Sequence, residues 1–186
     1  YGDTCLNDGG TLIDITGLRK FISFDEETGV IRCEAGVMLA DILEVCVPRG
    51  WFLPVTPGTK FVSIGGAIAN DVHGKAHHAQ GSFLECVQSF KMMLADGSVV
   101  TASRHERPEL FFATFGGLGL LGVILEATLT LRKVSTTWFR QKSFVADNLE
   151  ALLDVMMEND AKYPYSVAAI NPLATGASLG CGVLTV

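Results

Sequence analysis

The sequence lacks most of the features that would announce a function directly. It has no CxxC pair: Cys5, Cys33, Cys46, Cys86 and Cys181 are scattered, which removes a thiolate zinc centre and a dithiol redox motif. That usage fits free thiols in a reducing compartment, not a disulfide framework. No Lys/Arg cluster offsets a formal charge of −6, so nucleic acid is excluded as a partner. No apolar run approaches the ~20 residues of a membrane-crossing helix. The longest, Leu118 to Leu125, is broken by glycine. Charged residues are only 18% of the chain and apolar ones 48%, which rules out disorder. What remains is a globular chain of 186 residues, enough for one domain with a sizeable core, or one domain and part of a second.

The elements interleave without βαβ regularity. Thr11–Ile15 alternates like a strand. Phe21–Phe24 and Val30–Glu34 flank a turn-rich Asp25–Gly29 and read as a hairpin. Met38–Val47 has apolar residues at helical spacing and is stopped by Pro48 and Gly50; Trp51–Val55 is a short strand. Ser89–Leu94 and Ser98–Thr101 flank Asp96-Gly97, a strong hairpin signal. Pro108 and Glu109 open a helix that ends near Gly116, and Leu121–Leu131 is a long strand. Character changes around Lys133–Arg140, after which Trp138–Val145, Asn148–Met157, Tyr165–Ile170 and Leu179–Val186 read as strand, helix, strand and strand. The pattern is α+β, with a first unit over residues 1–135 and a second beginning at 136.

One stretch, PGTKFVSIGGAIANDVHGKAHH from Pro57 to His78, carries most of the functional information. Pro57-Gly58 turns the chain, and Thr59 or Ser63 can cap a short helix whose first N–H groups then face outward. Gly65, Gly66, Ala67 and Ala69 have almost no side chain, so a flat ligand can lie against backbone. Asn70, Asp71 and His73 place polar groups at the rim. An isolated Gly-Gly pair would read as tight helix packing, and Asn70-Asp71 as a turn; the flanking PGT and NDVHGK favour a planar, phosphate-bearing cofactor. His73 and His77 have i, i+4 spacing, but Gly74 interrupts the helix that a metal pair needs and no carboxylate completes a shell, so no metal is assigned. Asp71 reads as a turn carboxylate or as a group orienting His73. Lys75 reads as a solvated charge or an anion contact. Gly117-Leu118-Gly119-Leu120-Leu121-Gly122 matches GxGxxG formally, but a helix precedes it and a strand follows, the reverse of a Rossmann turn.

The Pro57–His78 segment closely resembles the flavin-binding segment of the vanillyl-alcohol-oxidase (PCMH-type) superfamily, and within it the decaprenylphosphoryl-ribose oxidase branch. Tyr1-Gly2-Asp3 resembles the end of that family's Gly-rich pyrophosphate loop, and Gly10–Asp14 the strand after it. Ala95-Asp96-Gly97, Glu109–Thr114 and Gly122-Val123-Ile124 also sit where the family has such residues. The resemblance implies an FAD-binding domain of two α/β subdomains with mixed sheets over 1–135, truncated at its start. The opening of an antiparallel-sheet substrate domain would follow over 136–186, truncated at its end. It implies FAD as cofactor, held by Tyr1, Gly2, Asp3, Gly58, Ser63, Ile64, Gly65, Gly66, Asn70, Asp71, Val72, His73 and Ile124. His73 and Lys75 would be the catalytic residues, at the flavin and substrate pocket respectively.

The implied reaction is oxidation of a sugar secondary alcohol to a ketone, with the ribose 2-hydroxyl of a polyprenylphosphoryl ribose as substrate and a partner reductase completing an epimerisation. A free alditol or aldonolactone substrate, and a non-catalytic flavin module, are the alternatives. The implied location is the cytoplasm, peripheral to the membrane. The piece by itself is expected to be inactive, because substrate contacts in that branch come from farther along the chain.

Overall fold

The computed structural model describes residues 8–186, so Tyr1, Gly2, Asp3 and Cys5 lie outside the described residues. The expected hairpin forms from β1 (Phe21–Asp25) and β2 (Val30–Glu34). Asp25 organises its turn: Oδ1 accepts from the Glu27 amide at 2.9 Å and Oδ2 from the Thr28 hydroxyl at 2.6 Å. These bonds, the Thr28 hydroxyl first, hold the Asp25 carboxyl below its usual pKa. Gly29 is left-handed, with φ 71°, and any Cβ there would collide with the Trp51 ring.

Helix α1 (Leu39–Cys46) follows, and Asp41 reaches back to accept from the Met38 amide at 3.0 Å. After the two-residue β3 (Trp51–Phe52) come α2 (Ile64–Ala69) and the single turn α3 (His77–Gln80). Asp96-Gly97 joins β4 (Val87–Met93) to β5 (Val99–Ser103) as its dipeptide predicts. Helix α4 (Pro108–Thr114) and the long β6 (Val123–Thr130) lead into β7 (Arg132–Lys133). The main sheet has the order β1-β2-β6-β4-β5, while β3 pairs with β7. Its inner face is apolar by the two-residue alternation: Ile31 and Cys33, Phe90 and Met92, Ala127 and Leu129 all point into one core. The Phe111 ring of α4 stacks on Phe90 at 5.5 Å. Cys33, Cys46 and Cys86 lie in this core, and burial pushes their thiols up to about 12, 11 and 12, so they stay protonated and inert.

A second, smaller core follows. Strands β8 (Ser143–Ala146), β9 (Val167–Ile170) and β10 (Gly182–Thr185) form a sheet of order β8-β10-β9. Helix α5 (Leu149–Asn159), capped by Asn148 accepting from the Ala151 amide at 2.9 Å, covers one face through Leu152 against Ala146 and Leu184.

Every strand pair among the described residues is antiparallel, where the family resemblance implies mixed sheets. The fold class is α+β, as the interleaving predicts. Two expected strands are corrected. Residues 11–15 form no strand: Asp14 folds an Asx turn onto the Thr16 amide, and Leu12 and Ile13 stay exposed. The chain docks one step later, where the Gly36 amide donates to Leu18 O at 2.8 Å and the Glu34 amide to Lys20 O at 2.9 Å. Trp138–Val145 is strand only from Ser143, where β10 offers a partner; before it the chain is irregular.

Candidate cofactor site

Ser63 caps α2: its Oγ accepts from the Gly66 amide at 3.2 Å. The next two amides are also taken, Ile64 N–H by Val37 O at 2.9 Å and Gly65 N–H by Ala35 O at 2.8 Å. This corrects the expectation of outward-facing free N–H groups at this helix end: protein carbonyls and the cap use all three. The two glycines divide the work. A Cβ on Gly65 would press on Ile15 Cδ1 at 3.1 Å and Ala35 Cβ at 3.2 Å, so Gly65 lets the helix seat against the sheet's end. Among the described residues a Cβ on Gly66 would meet only the Ser63 hydroxyl, at 3.2 Å. Asn70 lies on the same turn and donates from Nδ2 to Gly66 O at 2.9 Å.

Asp71 takes φ 42°, and its Oδ1 accepts from the Leu84 amide at 3.1 Å, which is the turn role of its two readings. Val72 is buried in the core, its carbonyl accepting from the Phe83 amide. His73 then emerges exposed, its ring 4.8 Å from that of His77. No group of three or more metal-ligating side chains occurs among the described residues. Gly74 is fixed by proximity, since any Cβ there would collide with Thr56 O. Lys75 has an exposed side chain, and its carbonyl accepts from the Ser166 amide at 2.8 Å. Gly58 is exposed in the turn before α2. Ile124 is buried opposite Met92, two residues beyond Glu126, where the β2 ladder stops.

The GxGxxG segment completes the site. It lies between α4 and β6, and the Leu118 amide donates to Ala69 O at 2.9 Å, drawing the turn onto the end of α2. Leu118 has φ 55°. Of three non-glycine residues with positive φ among the described residues, Asp71 and Leu118 thus flank the same helix end, and such strain concentrates at ligand sites. Leu118, Leu120 and Leu121 are all exposed, Leu120 at 86%. The docking of this turn on Ala69 is not foreseen by a pattern that excludes only a Rossmann turn. The only available signal was its apolar content, unusual for a loop.

This α+β domain leaves a side-chain-poor helix face beside a strained apolar turn, a surface on which a flat cofactor can lie. The FAD binding domain family matches residues 1–103, more than half of the chain, and the chain belongs to that family. Its cofactor is FAD. The residues present fit the planar part of that group, because the Gly66 face and the Leu118–Leu121 turn offer backbone and apolar contact; the α2 amides do not serve the diphosphate. The chain is 37% identical to the decaprenylphosphoryl-beta-D-ribose oxidase of Mycolicibacterium smegmatis over 186 residues, 97% of this chain and 40% of that one. It is 30% identical to a D-lactate dehydrogenase of Anaerostipes hadrus over 126 residues, 65% of this chain and 26% of that one. It is 31% identical to a delta(24)-sterol reductase of Pisum sativum over 120 residues, 64% of this chain and 21% of that one. The chain therefore spans two fifths or less of the length of these relatives. No helix among the described residues is long and apolar enough to cross a membrane.

Proposed function

We propose that the protein containing this chain is an FAD-linked oxidoreductase that oxidises a secondary alcohol of a sugar to a ketone, with a polyprenylphosphoryl ribose attacked at its 2-hydroxyl. One observation carries the choice of substrate. The match to the ribose oxidase takes in 97% of the chain and so runs through the second core, while those to the lactate dehydrogenase and the sterol reductase take in 65% and 64%. A cofactor domain is shared by enzymes with different substrates, and likeness in the unit beyond it is the more specific signal.

In this reading residues 1–135 are the cofactor domain and 136–186 open the substrate domain. Gly66 and Asn70 flank the open strip on which the ring rests, with the Leu118–Leu121 turn beside it and the Ile124 backbone behind. Bound FAD supplies the two-electron acceptor. His73, exposed next to this strip, takes up the substrate hydroxyl proton or orients that hydroxyl, and Lys75 faces the anionic part of the substrate. Tyr1, Gly2, Asp3 and Gly58 would serve the diphosphate, the backbone of Ser63 and Ile64 the ribityl portion, and Asp71 and Val72 would line the ring. A partner reductase would consume the keto sugar.

The test is anaerobic: full-length protein is mixed with polyprenylphosphoryl ribose, xylitol or an aldonolactone, and flavin absorbance is followed. Bleaching by the first alone supports the reading. Bleaching by xylitol or a lactone alone reassigns the substrate, and none by any alcohol leaves a flavin-binding module without this chemistry.

A further inference from the structure

We propose that Tyr165 is a positioning residue, holding the His73–His78 loop in place from the second unit. The inference rests on the reading above for the role of that loop, but its geometry stands independently. Phe52 and Arg132 face each other in the β3–β7 ladder. The Arg132 guanidinium donates to the Tyr165 hydroxyl and lies 5.6 Å from its ring centre. Phe139 closes the circuit, meeting Tyr165 edge-on at 5.6 Å and Phe52 at 6.4 Å. Tyr165 is thereby held by Arg132 of β7 and by Phe139, which in turn packs on Phe52 of β3.

The residues on either side of Tyr165 grip the loop. Ser166 N–H donates to Lys75 O, and the His78 ring donates from Nε2 to Tyr163 O, both at 2.8 Å. On its opposite flank the loop abuts Thr56 at Gly74, with no room for a side chain. The loop that carries His73 and Lys75 is thus clamped between Thr56 and the Tyr163–Ser166 segment, and Tyr165 anchors the movable jaw. None of these second-unit contacts reaches α2, the Gly66 face or the Leu118 turn. Loss of the anchor therefore loosens the rim of the site and leaves the cofactor strip intact.

The test uses full-length, flavin-loaded protein carrying Tyr165→Ala, Tyr165→Phe or His78→Ala, read by hydrogen exchange and by steady-state kinetics. Tyr165→Ala should speed exchange of the His77, Gln80 and Gly81 amides by about tenfold, with β4, β6 and flavin content unchanged. Its kcat should fall by about tenfold, while Tyr165→Phe, which keeps the ring, recovers most of both. His78→Ala, at an exposed side chain, should speed the same amides by about threefold. Unchanged loop exchange in Tyr165→Ala overturns the proposal, as does faster exchange with normal kcat on a confirmed substrate. Should Tyr165→Ala not fold, His78→Ala decides by the same criterion. Faster loop exchange in a protein whose flavin no alcohol reduces would retain the clamp and sink the oxidoreductase reading instead.

Discussion

The two cores of this chain differ in kind. The first gathers Phe83, Phe90, Phe111, Leu39, Leu53, Ile64 and Met92, all fully enclosed between a five-stranded sheet and its helices. The second rests on Ala146, Leu152 and Leu184 under one helix, and the other face of its sheet leaves Val145 and Val167 exposed. In the proposed reading the cofactor strip belongs wholly to the well-filled unit, whereas the His73–His78 loop is gripped by the sparse one.

Truncation in each core is the sharpest way to break this comparison. Phe90→Ala removes a fully buried ring stacked on Phe111 and should cost about 4 kcal/mol, lowering protection throughout the first unit. Leu152→Ala should cost about 2 kcal/mol and loosen chiefly β8, β10 and α5. Urea denaturation followed by hydrogen exchange separates the two. Equal losses of protection in β4 from both substitutions would show one cooperative unit in place of two.

The adjacent glycines give the next largest contrast. Gly65→Val must push Ile15 and Ala35 apart and should cost about 2 kcal/mol of stability. At Gly66→Val the added Cβ meets only the Ser63 hydroxyl among the described residues, so the fold should survive while FAD content falls severalfold. The check is thermal midpoint against acid-released flavin per protein. Normal flavin in Gly66→Val would remove this face from the site.

At the rim, His73→Ala in the full-length protein should lower turnover by about a hundredfold with flavin content preserved. Single-turnover reduction of the flavin measures this directly, and unchanged rates would return His73 to a surface role.

Much of this was legible in the sequence. Asp96-Gly97, Pro108 and the Asp25–Gly29 turn placed their elements because each acts through local chemistry that neighbours do not alter. Ser63 was readable for the same reason as one of two candidate caps, Thr59 being the other. The fate of the α2 amides was not, because their acceptors, Val37 and Ala35, come from a distant loop that no local pattern joins to Ser63. Residues 11–15 misled because alternation shows only that a strand could form, and no neighbouring strand pairs with them. The clamp on Lys75 and His78 was equally hidden: it joins residues some 90 positions apart through backbone carbonyls, which carry no sequence signal.

The smallest expected effect separates the two units by charge. All six ion pairs among the described residues lie within the first unit, and Glu126 holds two of them, to Arg32 at 2.7 Å and Lys91 at 2.6 Å across three strands. Burial alone would raise the Glu126 carboxyl, but the bonds from Arg32 and Lys91 outweigh it and bring its pKa below the ordinary 4.5. A carboxyl depressed on folding stabilises the folded state above its unfolded pKa, and that contribution fades as pH falls through 4.5 towards the folded value. Both cations are more than a third exposed, so solvent screening limits the gain to about 1 kcal/mol. Exchange protection in β2, β4 and β6 should therefore weaken in acid before that of β10, and Glu126→Gln should flatten the dependence at a similar small cost at neutral pH. If acid loosens β10 first in the parent protein, ion pairing does not distinguish the two cores.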